Sequence, residues 1–280
     1  MVQATIGCTF RCTFCMSNLR KQFEIRPLEE IIRDLEIAAR ESPFTRRIFL
    51  LDGNGFVMKA DMIVEICKKA YELFPRLERV GAYAHAKDII KKTPEELKAI
   101  ADAGFGIVYL GIETGDDELL KEVKKQTTAD EMVQAAQMIH KAGIELSGTV
   151  ILGLAGPDPE RSKRHAIETA KVINRMNPPK KQRWYISALT LMVPEGTALF
   201  DQMQKGEFEK IDSQQALNEL YLMIKHSSDD LHGCVFRSNH ASNYLPIKGT
   251  LAADKQKILK TIKNGLDNPD VLRPEFFRAL

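Results

Sequence analysis

Short runs of mostly apolar residues alternate along most of the chain with longer segments in which apolar residues recur every three or four positions. Continuous apolar runs bounded by turn residues are typical of buried strands, and the longer spacing is typical of amphipathic helices. The predicted strands are Val2–Ile6, Arg47–Leu51, Arg79–Tyr83, Ile107–Ile112, Glu145–Leu152 and Trp184–Met192. Six strands that alternate with helices predict a parallel sheet covered on both faces.

The helices between these strands begin with recognisable capping patterns. Residues 27–30 (Pro-Leu-Glu-Glu) place a proline and two acids in a first turn, where they favour helix initiation. Thr93 with Glu96, and Thr128 with Glu131, have the spacing of capping boxes. These starts predict helices in the intervals between the strands.

The alternation predicts an α/β fold, a partial (βα)6 TIM-like barrel with parallel strands. The barrel is expected to span residues 1–205, because the rhythm is lost beyond that point. Residues 206–280 are predicted to form a helical extension that caps the barrel. Ligands of such folds bind at the carboxyl ends of the strands, where the glycines, acids and amides of this chain gather.

Composition excludes several classes of protein. With 280 residues, 44% of them hydrophobic, the chain can bury a full core. A formal net charge of +2 gives no strong signal for nucleic acid or an anionic membrane. No apolar stretch approaches the length of a membrane span, and no signal segment opens the sequence. We therefore expect a cytoplasmic protein without a membrane partner.

The five cysteines are distributed unevenly. Cys8, Cys12 and Cys15 lie on one short loop after the first strand, whereas Cys67 and Cys234 are far apart. An odd, clustered set does not resemble a disulfide scaffold. Three thiolates at this spacing suit an iron–sulfur cluster. A zinc site would need a fourth ligand, and a redox pair of Cys12 and Cys15 would leave Cys8 without a role.

The loop Cys8-Thr-Phe-Arg-Cys12-Thr-Phe14-Cys15 has the pattern Cys-x-x-x-Cys-x-aromatic-Cys. It resembles the radical SAM superfamily, in particular its Elongator-like and oxygen-independent coproporphyrinogen oxidase-like subgroup. The resemblance implies that the three cysteines bind a [4Fe–4S] cluster whose remaining iron is chelated by S-adenosyl-L-methionine (SAM). It further implies reductive cleavage of SAM to a 5′-deoxyadenosyl radical, which abstracts hydrogen from a substrate. An external one-electron reductant of the flavodoxin or ferredoxin type is the implied partner.

The same resemblance implies SAM-binding positions in the cysteine loop and at the ends of later strands. They are Phe14, Gly53 and Asn54, Glu113 and Lys125, Ile151 and Gly153, and Leu191 and Met192. Asp-Gly-Asn at residues 52–54 departs from the usual glycine-rich turn of the superfamily, and an ordinary turn is the competing interpretation. For Lys125 the alternative is a solvated helix face, and for the apolar strand ends it is simple core.

Two further groups of residues are candidates for the substrate pocket. Tyr83 and His85 follow the third strand and face the predicted barrel mouth. The irregular polar segment 234–249 supplies the others, Arg237, Asn239, His240 and Asn243. Helix caps, turns and a buried aromatic residue are the structural alternatives.

The sequence thus favours a radical SAM enzyme that acts on an unidentified substrate. The alternative is a non-catalytic iron–sulfur or zinc-binding redox or sensor protein. The glycine turn and Glu113 disfavour this alternative, because a sensor has no need of groups that hold SAM.

Overall fold

The computed structural model describes residues 1–279. The strands are β1 Val2–Gln3, β2 Thr5–Ile6, β3 Glu24–Ile25, β4 Arg47–Leu51, β5 Arg79–Ala84, β6 Phe105–Glu113, β7 Glu145–Leu152, β8 Trp184–Thr190, β9 Cys234–Arg237 and β10 Lys248–Thr250. The α-helices are α1 Leu28–Glu41, α2 Ala60–Leu73, α3 Ala86–Ile90, α4 Pro94–Asp102, α5 Asp117–Glu122, α6 Ala129–Ala142, α7 Pro159–Arg175, α8 Ala198–Gln204, α9 Ser213–Lys225 and α10 Lys255–Asp267.

Eight strands share one sheet in the order β1-β4-β5-β6-β7-β8-β9-β10, and β2 pairs with β3 separately. The pairs β1–β4, β4–β5, β5–β6 and β8–β9 are parallel, whereas β9–β10 is antiparallel. This mostly parallel sheet with intervening helices confirms the predicted α/β class. Parallel strands end at one edge of a sheet, so the loops after them supply ligand-binding groups.

The buried positions explain why these segments form strands and helices. In β8, and in β7 from Gly148 to Leu152, alternate residues are buried and their neighbours are half-buried. In α2, the buried residues are spaced three or four apart, which places them on one face. Both predicted capping boxes are present, since Thr93 and Glu96, and Thr128 and Glu131, exchange side-chain and backbone hydrogen bonds.

Packing divides the chain into two compact units. The first comprises residues 1–11, 17–111 and 134–147, and the second comprises residues 12–16, 112–133 and those from 148 onward. The cysteine loop contributes Cys8 to the first unit and Cys12 and Cys15 to the second. The division at residue 205 stays a prediction, and Leu280 lies outside the described residues.

The carboxyl-terminal segment differs from the predicted helical extension. Besides α9 and α10 it contains β9, which is parallel to β8, and β10, which returns antiparallel. The prediction of a helical extension did not include these strands, because β9 is only Cys-Val-Phe-Arg, too short for its alternation to stand out. Cys234 and Phe236 are fully buried and anchor it. The sixth predicted strand also ends earlier, at Thr190.

Among residues 1–279, no helix has the length and apolar character needed to cross a membrane.

Candidate functional site

The start of the cysteine loop is fixed by the turn after β4. The Asp52 carboxylate accepts a hydrogen bond from the Gly7 amide at 3.2 Å and forms an ion pair with Lys21 Nζ at 2.6 Å. Gly7 directly precedes Cys8, and Lys21 lies beyond the last cysteine of the loop. One carboxylate therefore holds two points of the chain that flank the three thiols.

Gly53 and Asn54 pack against the same loop. A Cβ atom on Gly53 would lie 2.9 Å from Cys8 Cβ and 3.1 Å from the Gly7 carbonyl oxygen, so the approach depends on glycine. Asn54 is fully buried, and its Nδ2 donates to Thr9 Oγ1 at 3.1 Å and to Asp88 Oδ2 at 2.7 Å. Asn54 Oδ1 has no hydrogen-bond partner among the described residues. A buried oxygen of this kind is suited to accept a donor from a ligand.

Phe10, which lies within the cysteine loop, packs against His85. Their rings are stacked, with centroids 3.3 Å apart and planes 10° from parallel. His85 is 5% exposed and its Nδ1 accepts from the Lys87 amide, capping α3. The Phe10 amide also donates to Cys8 Sγ at 3.5 Å. Hydrogen bonds to ligand sulfur influence the potential of iron–sulfur clusters.

Tyr83, the other substrate candidate of the first unit, lies differently from His85. Its ring is 47% exposed and makes edge contacts with Phe49 and Tyr109 on the neighbouring strands. Tyr83 and His85 were predicted together, but Tyr83 is exposed on β5, whereas His85 lies beyond the end of that strand, is buried and caps α3. The substrate role of both residues stays a prediction.

In the second unit, the peptide of Thr13 anchors the remaining two cysteines. The Thr13 amide donates to the Val123 carbonyl at 3.0 Å, and the Leu199 amide donates to the Thr13 carbonyl at 2.9 Å. The Cys15 amide closes a turn on the Cys12 carbonyl. Both thiols, like that of Cys8, are half-buried and free of disulfide bonds. Thiols held in this way are fixed by backbone but remain accessible.

Glu113 and Lys125 form a buried ion pair in the same unit. Lys125 Nζ donates to Glu113 Oε1 at 2.7 Å, and their side chains are 8% and 10% exposed. The neighbouring Lys124 is exposed, so the pairing distinguishes the two adjacent lysines. Glu113 has a φ of +61°, a left-handed conformation that non-glycine residues rarely adopt. Such strained positions are concentrated at functional sites.

The charge of Lys125 is coupled to the cysteine loop. Burial is the largest single effect on the pKa of Lys125 and lowers it, whereas the attraction of Glu113 and its hydrogen bond raise it. The negative charges of Cys12 and Cys15 raise it further, and the net pKa lies above the ordinary value of a lysine. Lys125 is therefore an ammonium ion whose charge is coupled electrostatically to Cys12 and Cys15.

Three of the predicted SAM-contact residues belong to one apolar cluster. Phe14 and Ile151, both half-buried, pack against a buried group that includes Leu191. Gly153 lies two residues after Ile151 and has a φ of +82°. Side-chain atoms of Ile211 lie 2.7 Å from the position that a Cβ on Gly153 would take. The sequence placed Leu191 inside the sixth strand, whereas it follows the strand and is 6% exposed. The Leu191 side chain therefore belongs to the hydrophobic core.

Met192 also follows β8 and is half-buried. Its Sδ accepts a hydrogen bond at 3.2 Å from Arg278 Nη2, which also donates to the Leu191 carbonyl at 3.1 Å. Arg278 has a side chain only 2% exposed and pairs with Glu275. The sequence analysis missed Arg278, since no motif connects positions 86 residues apart.

The four polar residues of segment 234–249 have different environments. Asn243 is 2% exposed and clamps β8, because its Oδ1 accepts from Thr190 Oγ1 and its Nδ2 donates to the Ala188 carbonyl. Asn239 is exposed, as is His240, whose Nδ1 accepts from the Ser242 amide in a local turn. Arg237 is exposed on β9, with its guanidinium carbon 5.6 Å from the ring centre of Tyr185. Arg237 is thus better placed to meet a ligand than Asn243.

Replacing Gly53 by alanine tests the close approach to Cys8. The added Cβ is too near Cys8 Cβ and the Gly7 carbonyl, so we expect a lower iron content and a loss of about 1–3 kcal/mol of stability. Gly143→Ala is the control, because Gly143 has a φ of +81° but no atom within 4 Å of its Cβ position. The control should lose some stability through backbone strain while its iron content stays unchanged. Equal iron contents for both variants would contradict the assignment.

Comparisons with solved structures agree on the fold. Methylornithine synthase (PylB) matches 93% of this chain and 68% of its own with a TM-score of 0.57 at 15% identity. Coproporphyrinogen III oxidase (HemN) from Escherichia coli matches 80% of this chain and 50% of its own with a TM-score of 0.57 at 14% identity. These likenesses confirm the predicted fold class of a partial (βα) barrel.

Among curated sequences, the heme chaperone HemW of Bacillus subtilis is 22% identical over 234 residues, which is 81% of this chain and 58% of that protein. The chain spans about half the length of the curated relatives it matches. The family model described as the radical SAM superfamily matches residues 2–166, more than half of the chain, including the three-cysteine loop and Glu113. The chain belongs to the radical SAM superfamily.

Proposed function

We propose that this chain is an enzyme that cleaves SAM reductively at a [4Fe–4S] cluster bound by Cys8, Cys12 and Cys15, and then abstracts hydrogen from a substrate. Its superfamily uses these two cofactors. The observation that carries the proposal is the buried Glu113–Lys125 pair, whose lysine is coupled electrostatically to Cys12 and Cys15.

The residues around the thiols fit a cluster. All three thiols are half-exposed, and the Phe10 amide points at Cys8 Sγ. The positive charge of Lys125 is coupled to Cys12 and Cys15, and anionic thiolate sulfur is the form of cysteine that binds iron. Cys67 and Cys234 do not share this environment, since both are fully buried and burial raises the pKa of the Cys67 thiol to about 12. The loop therefore has the donor chemistry that a cluster needs.

The neighbouring residues also fit SAM. Gly53 leaves room beside Cys8, and Asn54 Oδ1 is a buried acceptor without a partner among the described residues. In the second unit, Phe14 and Ile151 present half-buried apolar surface suited to a purine ring. We propose that Asn54 and Glu113 accept hydrogen bonds from SAM, and that Lys125 holds the Glu113 carboxylate in position through the ion pair.

When both cofactors are bound, an electron from the cluster splits SAM into methionine and a 5′-deoxyadenosyl radical. The protein's own contribution is to hold, orient and shield them. An external reductant of the flavodoxin or ferredoxin type is proposed as the electron source. Tyr83, Arg237, Asn239 and His240 are the exposed substrate candidates, whereas His85 and Asn243 are buried.

Family membership alone does not establish cleavage, since one relative carries the name heme chaperone. The test is anaerobic reconstitution with iron and sulfide, followed by incubation with SAM and dithionite. We expect 5′-deoxyadenosine and methionine in equal amounts. Iron-loaded protein that yields neither product would support the alternative of a non-catalytic iron–sulfur protein, and zinc without visible iron–sulfur absorbance would support a zinc protein.

A further inference from the structure

Glu219 is a buried carboxylate in α9, beyond the part of the chain that the family model matches. Its side chain has no exposed surface. Three donors surround it: the Gly153 amide at 2.7 Å from Oε1, Ser162 Oγ at 2.6 Å from Oε2, and His165 Nε2 at 3.2 Å from Oε1. A buried carboxylate is stable only when its oxygens are satisfied in this way.

His165 connects Glu219 to the segment after β6. Its Nδ1 lies 2.7 Å from Thr114 Oγ1, and its Nε2 faces Glu219 and the Ile151 carbonyl at 3.2 Å. Both neighbours of Nε2 are acceptors, so the hydrogen of a neutral ring belongs on Nε2. Nδ1 then accepts from the Thr114 hydroxyl, which itself accepts from the Asp116 amide.

A second contact holds residues 114–116, the turn after β6, against α7. The Gly115 amide donates to Thr169 Oγ1 at 2.9 Å, and a Cβ on Gly115 would lie 2.3 Å from the Glu168 carbonyl. The turn directly follows Glu113, which has the strained positive φ. Hydrogen bonds from α7 and α9 thus hold the backbone after β6 and the backbone after β7.

The order hydroxyl, imidazole, carboxylate matches that of nucleophilic triads. Thr114 has no exposed surface, however, and His165 is 2% exposed, so no substrate reaches the hydroxyl. The group therefore positions backbone and does not attack substrate.

We infer that Glu219 and His165 are positioning residues that fix two turns in a single arrangement. The first turn is residues 114–116, after Glu113, and the second is residues 153–156, which begins at Gly153. The link to SAM rests on the function proposed above, in which Glu113 and Ile151, which lie close to these two turns in the sequence, contact the cofactor. The coupling of the turns is a property of the chain itself and is measurable without cofactor.

Amide hydrogen exchange of the full chain, purified without reconstitution, tests the coupling. Glu219→Ala leaves the Gly153 amide and His165 without their acceptor, and we expect roughly tenfold to hundredfold faster exchange at residues 151–156. We expect faster exchange also at residues 113–118, which Glu219 reaches only through His165. Glu219→Gln should stay near wild type, because the amide oxygen can face Gly153 while its nitrogen donates to Ser162. The control Glu160→Gln alters a side chain that is 85% exposed and should change nothing.

A second variant decides the question if Glu219→Ala does not fold. Thr114→Val keeps the shape of the side chain and removes the hydroxyl that binds His165. We expect faster exchange at residues 151–156, to which the Thr114 hydroxyl is connected through His165. Unchanged exchange there, or a Glu219→Ala effect confined to residues 151–156, would overturn the inference.

SAM affinity of reconstituted protein tests the functional consequence. Glu219→Ala should bind SAM roughly tenfold more weakly with an unchanged iron content, while Glu219→Gln should bind nearly as well as wild type. Equal affinities for wild type and Glu219→Ala would refute the role in positioning the cofactor site. If wild type itself binds no SAM, the proposed function fails, whereas hydrogen exchange still decides whether the two turns are coupled.

Discussion

Replacing any one of Cys8, Cys12 and Cys15 by alanine is expected to abolish SAM cleavage, with a loss larger than the roughly 100-fold typical of changes in outer-shell residues. Each thiolate is proposed as a cluster ligand for which the cysteine loop has no substitute. The measurements are iron content, visible absorbance and 5′-deoxyadenosine production after anaerobic reconstitution.

Cys67→Ala and Cys234→Ala are the matched controls for these variants. Both thiols are fully buried, and burial raises the pKa of each, to about 12 for Cys67 and well above the ordinary range for Cys234. They behave as small apolar side chains, so the controls should lose some stability and keep full iron content. Retention of the cluster in Cys12→Ala, or its loss in Cys67→Ala, would contradict the ligand assignment.

Lys125→Met is expected to destabilise the protein by about 3–5 kcal/mol, because it leaves the Glu113 carboxylate buried and unpaired. Thermal or urea unfolding of the unreconstituted chain measures this effect. Lys124→Met is the control at the adjacent, exposed position, where a change within about 0.5 kcal/mol is expected. In Glu113→Gln/Lys125→Met neither charge remains, so part of the stability should return. Equal stabilities of the two lysine variants would show that the ion pair does not hold this part of the protein.

The pH dependence of the pair follows from the raised pKa of Lys125. A lysine whose folded pKa exceeds its unfolded value stabilises the protein at pH values below the unfolded value. The contribution is lost as pH rises through the folded value. The stability difference between wild type and Lys125→Met should therefore be constant around neutral pH and shrink in alkaline solution, as the pH rises through the raised pKa of Lys125.

Much of the fold was predictable from local patterns. The bounds of β4 and β7 agree with the predicted strands, and the Thr93 and Thr128 capping boxes formed as expected. These signals depend on residues close in sequence. The strand β9 escaped prediction because four residues carry too little alternation and its partner, β8, lies some 50 residues earlier.

The candidate site shows the same limit. The loop of Cys8, Cys12 and Cys15 is a local motif, and Glu113 and Lys125 are separated by one short helix. Residues that hold the site from a distance were missed. One of them left a signal: Glu219 lies among Ala216, Leu220 and Met223, on the buried stripe of α9. A carboxylate at a core-facing position of a helix predicts a buried hydrogen-bond network.

Electron paramagnetic resonance of the reduced, reconstituted protein, recorded with and without SAM, tests the central claim most directly. Coordination by three cysteines leaves one iron of a [4Fe–4S] cluster open to a small ligand. We predict the signal of a reduced [4Fe–4S] cluster whose shape changes when SAM is added. A spectrum that is identical with and without saturating SAM would contradict the account.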